Sequence, residues 1–597
     1  MSNKIDDFCI NIATVNGTGS QSANNILAKT FCSLGVPIAP KNIFPSNIQG
    51  QPGWYRIRVS SRGYRCAKDG VDVAVLLNAV TALEDLKQVR DGGFVIYDSD
   101  EVNVPTDEGK RLVVCGIPMT SMAAERFKNA RLRQLLKNMI YVGALCEVLG
   151  VDGKVLDEII AKQFSNKPEV LDLNNSAIFS GRDWIKNHPI EIPFVLTPNN
   201  VVKERFLIEG NEGVAWGALY GGCTLFSWYP ITPASGVGDT INTIFPKHRV
   251  DPETGKNRYA VVQAEDELAA IGMAFGAGWA GARAMTATSG PGISLMAEFV
   301  GLGYFVEVPA VIVDVQRVGP STGLPTRTSQ GDVGFVANLS HGDTKHPMLF
   351  PASPTECFEM TTLAFDLADH YQTPVFVMSD LDLGMNMWLT EAFQYPKKGL
   401  KRGKVLRAED RDELKSWGRY LDIDEDGVPY RTYPGCANPY ASVLMRGSGH
   451  DEFARYTEDP NVYVRNMERL SKKFETLRKN MPQAVVYKGD GHPVGVIAYG
   501  TTHWAIEELM DGIGPAAATD YLRLLTYPFP ENVKIYVEGH QKLLVVEQNR
   551  DHQMCQLLQL AYPEYADRFV GISNFGGWPL TPEMIKSRLI HHLPEAN

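Results

Sequence analysis

Apolar positions over the first 185 residues alternate between short continuous runs and longer segments with helical spacing. The run Phe8-Cys9-Ile10-Asn11-Ile12-Ala13 ends at Asn16-Gly17-Thr18-Gly19-Ser20, and the helical pattern after it passes through Ile26, Leu27 and Phe31. Further strands are predicted at 71–77, 93–97 and 111–117, and helices at 129–149 and 156–163. Strands separated by helices predict a parallel sheet with helical cover. Polar, irregular sequence from Asn174 to about Asn211 reads as a linker. A second strand–helix series runs from Gly213 to about Asn386, with buried strands at 258–263, 308–315 and 374–378. Residues 390–480 are charged and aromatic without sustained period and end in a helix-like run at 466–479. A last α/β block carries strands at 495–499 and 542–547 and a helix at 502–510. The expected fold class is therefore α/β with several parallel-sheet domains: 1–185, 211–390 and 484–597, with 391–483 as an irregular, partly helical connecting segment.

Length and composition fit that division. The chain has 597 residues, and at about 150 residues per domain that suggests about three or four. With 44% hydrophobic and 21% charged residues, an ordered globular protein is expected rather than a disordered one. The net charge of −11 repels phosphate backbones and argues against general nucleic-acid binding. No stretch approaches the roughly 20 apolar residues that span a bilayer, so no membrane association is expected. The start, MSNKIDDFCINIA, puts acids where a signal peptide needs cations and then apolar residues, and a cytoplasmic location is the expectation. The nine cysteines, Cys9, Cys32, Cys66, Cys115, Cys146, Cys223, Cys357, Cys436 and Cys555, are too far apart in sequence for CxxC, zinc or cluster spacing. No metal site is expected in this chain.

Several local patterns carry possible chemistry. Gly17-Thr18-Gly19 follows a strand and opens a helix, as a phosphate-cradling loop does, yet Ser22 stands where the dinucleotide fingerprint has its third glycine. A tight strand–helix turn gives the same letters. Gly489-Asp490-Gly491 has the form of a magnesium-diphosphate motif, but 514–518 read Gly-Pro-Ala-Ala-Ala where a metal-ligating asparagine would be needed; a turn is the simpler reading. In Trp228-Tyr229-Pro230-Ile231-Thr232-Pro233, two prolines restrict the backbone around one hydroxyl, which suits a small polar ligand or a rigid domain entry. The strand before Glu265-Asp266-Glu267 leads into a helix that is apolar all round from Leu268, and such a helix is expected to be buried. Acids at its start complement the helix dipole, or one of them is a buried proton partner. Arg317 follows the apolar run 308–315, at the strand end where α/β sheets place ligands.

Taken in order, YPITP, AEDELAAIGMAFGA, TATSGPG, QRVGPSTGLPT, Arg446-Gly-Ser-Gly-His-Asp-Glu452 and Val545-Val-Glu-Gln-Asn549 resemble the 2-oxoacid:ferredoxin oxidoreductase family. The first block looks like the family's gamma component fused ahead of its alpha component. The resemblance implies a thiamine-diphosphate pyrimidine-binding fold in the middle and a transketolase-C-terminal-like α/β domain at the end. It implies that Glu267, rather than Glu265, bonds the pyrimidine N1′ and favours the tautomer that takes the thiazolium C2 proton. It implies cofactor contacts from Tyr229, Pro230, Ile231 and Thr232, substrate contact from Thr232, and Arg317 as the cation for the substrate carboxylate. A beta subunit would supply the diphosphate–Mg2+ site and a [4Fe–4S] cluster; coenzyme A would be co-substrate and ferredoxin the electron carrier, in a dimer of heterodimers. The sequence looks closest to the 2-oxoglutarate branch, for which Arg327, His341 and Lys345 are available to a second carboxylate. Branched-chain or broad 2-oxoacids, pyruvate, and a non-catalytic coenzyme-A-binding or scaffold subunit are the alternatives.

Overall fold

The computed structural model describes residues 4–45, 50–165, 167–199, 206–395, 399–410, 415–512 and 519–593. They form two compact units: 1–208 with 386–392 and 579–583, and 209–385 with 393–578 and 584–597.

The first unit is built on a six-stranded sheet in the order Ile38–Ile43, Pro52–Ser60, Asp7–Val15, Val71–Leu76, Val89–Asp98, Val113–Ile117. Asp7–Val15 pairs parallel with Val71–Leu76 but antiparallel with Pro52–Ser60, which is also antiparallel to Ile38–Ile43. The sheet is thus mixed, where an all-parallel one was expected. The two unanticipated strands carry prolines and alternating charges, Pro40, Lys41, Pro52, Arg56 and Arg58, which mask a buried-strand signal. Helices Ala130–Val148 and Pro168–Asn187 pack with Gly143 against the Ile178 backbone and Gly181 against Ile140. The second of these occupies part of the stretch read as a linker. Its charged residues Glu169, Asp172, Asp183 and Lys186 are exposed, while Asn174, Ala177, Ile178, Ser180, Gly181 and Ile185 are buried.

In the second unit a sheet runs Thr526–Tyr527, Met348–Leu349, Pro374–Asp380, Ala310–Val318, Ala284–Thr288, Leu225–Trp228, Ala260–Gln263. Along this order every pairing is parallel except that of Thr526–Tyr527, a strand contributed by the C-terminal block. Leu324–Thr328 returns antiparallel along the end of Ala310–Val318, with Arg317 opposite Thr328. A five-stranded sheet follows in the order Val485–Lys488, Asp520–Leu524, Val494–Tyr499, Lys542–Glu547, Phe569–Ser573. One continuous apolar core joins the two sheets, from Ile271 and Ile312 to Ile497, Leu522 and Val545. No helix of the described residues is long and apolar enough to cross a membrane.

Candidate active site

Glu267 is the first residue of the helix Glu267–Trp279, and the three consecutive acids there have three different surroundings. Glu265 is exposed. Asp266 is the cap, its carboxylate accepting from the Ala269 N–H at 2.8 Å, which satisfies a donor that the helix start leaves free. Glu267 is only 6% exposed, and among the described residues no protein group hydrogen-bonds its carboxylate. It lies against the first turn of the helix Gly290–Phe305. A Cβ at Gly292 would stand 2.8 Å from Glu267 Cγ and 3.0 Å from Oε1, and would overlap Thr288 Oγ1. The glycine in TATSGPG therefore makes room for the glutamate.

The Tyr229–Thr232 loop leaves the end of the strand Leu225–Trp228. Tyr229 and Pro230 are exposed, and Ile231 and Thr232 half-buried. The loop is fastened by Asn211 Nδ2, which donates to the Pro233 carbonyl at 2.8 Å, and by the Ser235 N–H, which donates to Ile231 O at 3.0 Å. Arg317 Nη1 donates to the Thr232 carbonyl at 2.6 Å, while its Nε is buried with no partner. Burial lowers the pKa of the guanidinium, with Asp332 acting in the opposite direction. A buried cation with an unsatisfied N–H, beside a proline-stiffened loop, suits a small anion.

The helix expected to be buried all round is buried on one face only. Ala270, Ile271, Ala274 and Phe275 face the core, whereas Leu268 is 41% and Met273 40% exposed, as is Leu295 at 45% on the neighbouring helix. Apolar composition alone does not say what covers a face.

Of the three cations considered for a second carboxylate, only Arg327 lies on the strand paired with that of Arg317; it stacks over Trp578 at 5.1 Å. His341 is exposed beside Ser340. Lys345 reaches over Phe474, in a cavity it shares with Tyr527 and Tyr562. The Gly489-Asp490-Gly491 segment is a loop between two strands, its Asp490 and Gly491 N–H groups both donating to Asp520 at 3.0 Å. Residues 514–518 lie outside the described residues. Among those described, Asp490, His492 and Asp520 are the one group of acids and histidine close enough to hold a cation, and the turn N–H groups already engage Asp520. His450 of the RGSGHDE stretch is enclosed by Phe305 and Tyr420, and Glu547 of VVEQN accepts from the Met554 and Cys555 N–H groups; both are structural placements. In the first unit, Gly17 and Gly19 take left-handed φ of 88° and 81°. Their turn borders a cavity of about 370 Å3 that includes Thr18, Thr120, Arg133, Lys137 and Asn138.

Sequence reasoning passed over Gly292, Thr288, Asp314 and Asp332. A signal for Asp314 was present: it is the one acid inside the apolar run 308–315.

Comparison with known proteins identifies the family. Residues 216–419 match the family described as pyruvate flavodoxin/ferredoxin oxidoreductase, thiamine diphosphate-binding, and residues 9–184 the pyruvate ferredoxin/flavodoxin oxidoreductase family. The alpha subunit of 2-oxoacid:ferredoxin oxidoreductase 2 from Aeropyrum pernix is 30% identical over 93% of each chain. The 2-oxoglutarate oxidoreductase subunit KorA of Mycobacterium tuberculosis is 31% identical over 94% of this chain and 88% of that one. The structure of 2-oxoglutarate:ferredoxin oxidoreductase from Magnetococcus marinus, with 2-oxoglutarate, coenzyme A and succinyl-CoA bound, superposes with a TM-score of 0.88 at 28% identity, over 98% of this chain and 100% of that one. The chain belongs to the 2-oxoacid:ferredoxin oxidoreductase family, as an alpha subunit with a thiamine-diphosphate-binding domain.

Proposed function

We propose that this subunit holds the aminopyrimidine end of thiamine diphosphate with Tyr229, Pro230, Ile231, Thr232 and Glu267, and that its substrate is 2-oxoglutarate. The observation that carries the cofactor reading is Glu267: a buried carboxylate with no protein partner, facing a glycine that keeps the space beside it clear. A carboxylate so placed has its bonding capacity left for a ligand. When bound, the cofactor supplies the electron sink for decarboxylation. Glu267 holds a proton against a ring nitrogen, and Arg317 orients the carboxylate that departs as CO2. Thr232, held through its own carbonyl by Arg317, touches both ligands.

The overall reaction converts 2-oxoglutarate and coenzyme A to succinyl-CoA and CO2, passing two electrons to ferredoxin and releasing a proton. The same site serves the reverse carboxylation. Relatives named for 2-oxoglutarate, and the Magnetococcus marinus enzyme with that substrate bound, support this choice. Arg327 is the cation best placed for the distal carboxylate. Coenzyme A, with its several phosphates, suits the cavity at Gly17-Thr18-Gly19, where Arg133 adds positive charge and Lys137 is held by Asp98 and Glu101.

A beta subunit would bring the Mg2+–diphosphate site and the [4Fe–4S] cluster, and would cover the open apolar faces at Leu268, Met273 and Leu295. The expected assembly is a cytoplasmic dimer of heterodimers. The test is to co-purify the chain with its native partner and compare kcat/KM for 2-oxoglutarate, 2-oxobutyrate, pyruvate and 2-oxoisovalerate. 2-Oxoglutarate should be used best; equal values across the panel would favour the broad-substrate reading.

A further inference from the structure

Asp380 closes the strand Pro374–Asp380 and is buried. Its Oδ1 accepts from the Leu383 N–H at 3.0 Å and from Thr328 Oγ1 at 3.2 Å, and its Oδ2 accepts from Thr501 Oγ1 at 2.6 Å. What else the two hydroxyls do fits this direction. Thr328 Oγ1 accepts from the Asp382 N–H at 3.3 Å and Thr501 Oγ1 from Gln548 Nε2 at 3.0 Å, which leaves the proton of each hydroxyl for the carboxylate. Thr501 stands directly before the helix Thr502–Asp511, where a threonine hydroxyl usually caps the helix by accepting an N–H. It makes no such bond, and its proton goes to Asp380.

Two of these bonds lead to the two sides of the contact between Arg317 and Thr232. The strand Ala310–Val318 pairs with Pro374–Asp380 as far as Gln316, which lies opposite Asp380. At the next residue its partner is Leu324–Thr328, with Thr328 opposite Arg317. Asp380 therefore fastens the residue that faces Arg317 across the strands. On the other side, its bond to Leu383 ties down the short helix Leu381–Met385. Gly384 of that helix lies so close to Asn211 that an added Cβ would stand 2.9 Å from Asn211 Oδ1. Asn211 in turn donates to the Pro233 carbonyl, and so holds the loop whose Thr232 carbonyl receives Arg317. The third bond, from Thr501, ties both sides to the C-terminal block. Gln330 reinforces that tie: it donates to Tyr499 O at 3.1 Å and accepts from Thr502 Oγ1 at 3.0 Å.

We propose that Asp380 is a positioning residue for the 2-oxoacid: it holds the Arg317 strand end and the Thr232 loop in one arrangement, and the Thr501 hydroxyl of the C-terminal block completes the brace. The inference rests on Arg317 being the partner of the substrate carboxylate. Arg317 Nη1 is anchored on a backbone carbonyl, so the place of the guanidinium follows the place of that loop and of its own strand end. A small shift in either changes where its unpartnered Nε points, and alignment of this kind is sensitive to displacements of an ångström or less. A carboxylate suits the centre of the brace because all three partners are donors and an ionised Asp offers acceptors only. Asparagine at 380 can keep the bonds from Leu383 and Thr328 but turns an amide N–H towards Thr501, whose hydroxyl is already occupied by Gln548.

The experiment measures kcat, the KM of the preferred 2-oxoacid and the KM of coenzyme A in the assembled complex. T501V keeps the shape of the side chain and removes the donor to Oδ2, while Gln548 Nε2 retains Thr502 Oγ1 at 3.2 Å. It should raise the 2-oxoacid KM by about tenfold, with kcat and the coenzyme A KM close to the wild type. T501S, which returns the hydroxyl, should restore that KM, and D380N should act in the same sense as T501V. Combining T501V with R317K should give a loss smaller than the sum of the two, because the brace then has no guanidinium to align. Wild-type 2-oxoacid KM values in both T501V and D380N would overturn the proposal. So would fully additive losses in the double variant, or a change in kcat and both KM values together, which is the mark of loosened packing. If D380N does not assemble, T501V alone decides. R317K separates the two readings: an unchanged 2-oxoacid KM in that variant defeats the role of Arg317 itself, while a raised KM beside unaltered T501V and D380N defeats only the brace.

Discussion

Arg317 donates to the Thr232 carbonyl at 2.6 Å while its Nε stays buried and unpartnered, so one side of the guanidinium is fixed and the other is available. A planar fork anchored on one edge suits a carboxylate on the other, and a lysine ammonium cannot reproduce that geometry. Arg317→Lys should cost about 1.5–3 kcal/mol, about 10- to 200-fold in kcat/KM, equally for every 2-oxoacid because all share the 1-carboxylate. Removing the Arg327 charge should hurt 2-oxoglutarate selectively. Measuring both variants with 2-oxoglutarate and 2-oxobutyrate checks the assignment: a penalty from Arg317→Lys confined to the dicarboxylate would reverse the two roles.

Glu267 is buried and Glu265 exposed, one helical cap apart. Glu267→Gln keeps the shape but removes the charge, and the loss in turnover should be of the order of a general acid–base role, ~10²–10⁴-fold. Glu265→Gln should be near normal. Thiamine diphosphate binding by calorimetry should persist in both, which separates a proton role from simple loss of the cofactor.

The sequence showed most of the skeleton because α/β periodicity is strong where strands are apolar on both faces. The runs at 308–315 and 374–378 became Ala310–Val318 and Pro374–Asp380 in the central sheet. It did not show Ile38–Ile43 and Pro52–Ser60, whose alternating polar residues suit antiparallel pairing near a sheet edge, nor Thr526–Tyr527, a strand too short to have a period. At the site, residue types were readable and surroundings were not. Three adjacent acids look alike until burial distinguishes them, and the exposed faces at Leu268 and Met273 come from the absence of a neighbour, which composition does not record.

The chain purified alone under anaerobic conditions should contain no iron–sulfur cluster. Burial pushes the thiols of Cys9 and Cys115 up to about 11, and those of Cys146, Cys223 and Cys555 up to about 12. Thiols held so firmly protonated are poor cluster ligands, since the thiolate is what binds metal. Iron and sulfide analysis is the check; four irons per chain would place electron transfer in this subunit instead of a partner.

Glu307 should matter to stability rather than catalysis. It is fully buried and accepts from Lys473 Nζ at 2.7 Å and from Arg469 Nη1 at 3.1 Å, with a further bond from Arg469 Nη2. Burial alone would raise its pKa, but the two cations outweigh that and hold it at about 2. Because the folded value lies below the unfolded one of about 4.3, its contribution is present above that pH and is lost as pH falls towards the folded value. Glu307→Gln leaves two buried cations without their anion, at an expected cost of about 3–5 kcal/mol. Chemical denaturation near neutral pH should register that loss, with a difference from the wild type that shrinks on acidification; a variant as stable as the wild type would mean that Arg469 and Lys473 find other partners.

The most local prediction concerns Gly292, which the sequence offered only as the last residue of the motif TATSGPG. An added Cβ would overlap Thr288 Oγ1 and press on Glu267 at 2.8 Å from Cγ. The deeper overlap is with Thr288, which is buried at the end of a central strand, so its side chain or the helix start must shift, and the Glu267 carboxyl beside it is displaced as well. Gly292→Ala changes no charge and adds a good helix former inside a helix, a change that by itself favours folding by roughly 0.5–1 kcal/mol. Overpacking at a closely filled position typically costs 1–3 kcal/mol, so net stability should fall only slightly. Turnover should fall far more, because displacing a proton-holding group by a few tenths of an ångström disturbs the alignment on which its role depends. The expected result is a complex that assembles, melts close to the wild type and loses turnover by ~10²-fold or more, the low end of a general acid–base loss. Combining Gly292→Ala with Glu267→Gln then discriminates. If the methyl acts through Glu267, the double variant should be little slower than Glu267→Gln alone, whereas fully additive losses would mean that Gly292 serves the site by a route that does not involve the glutamate.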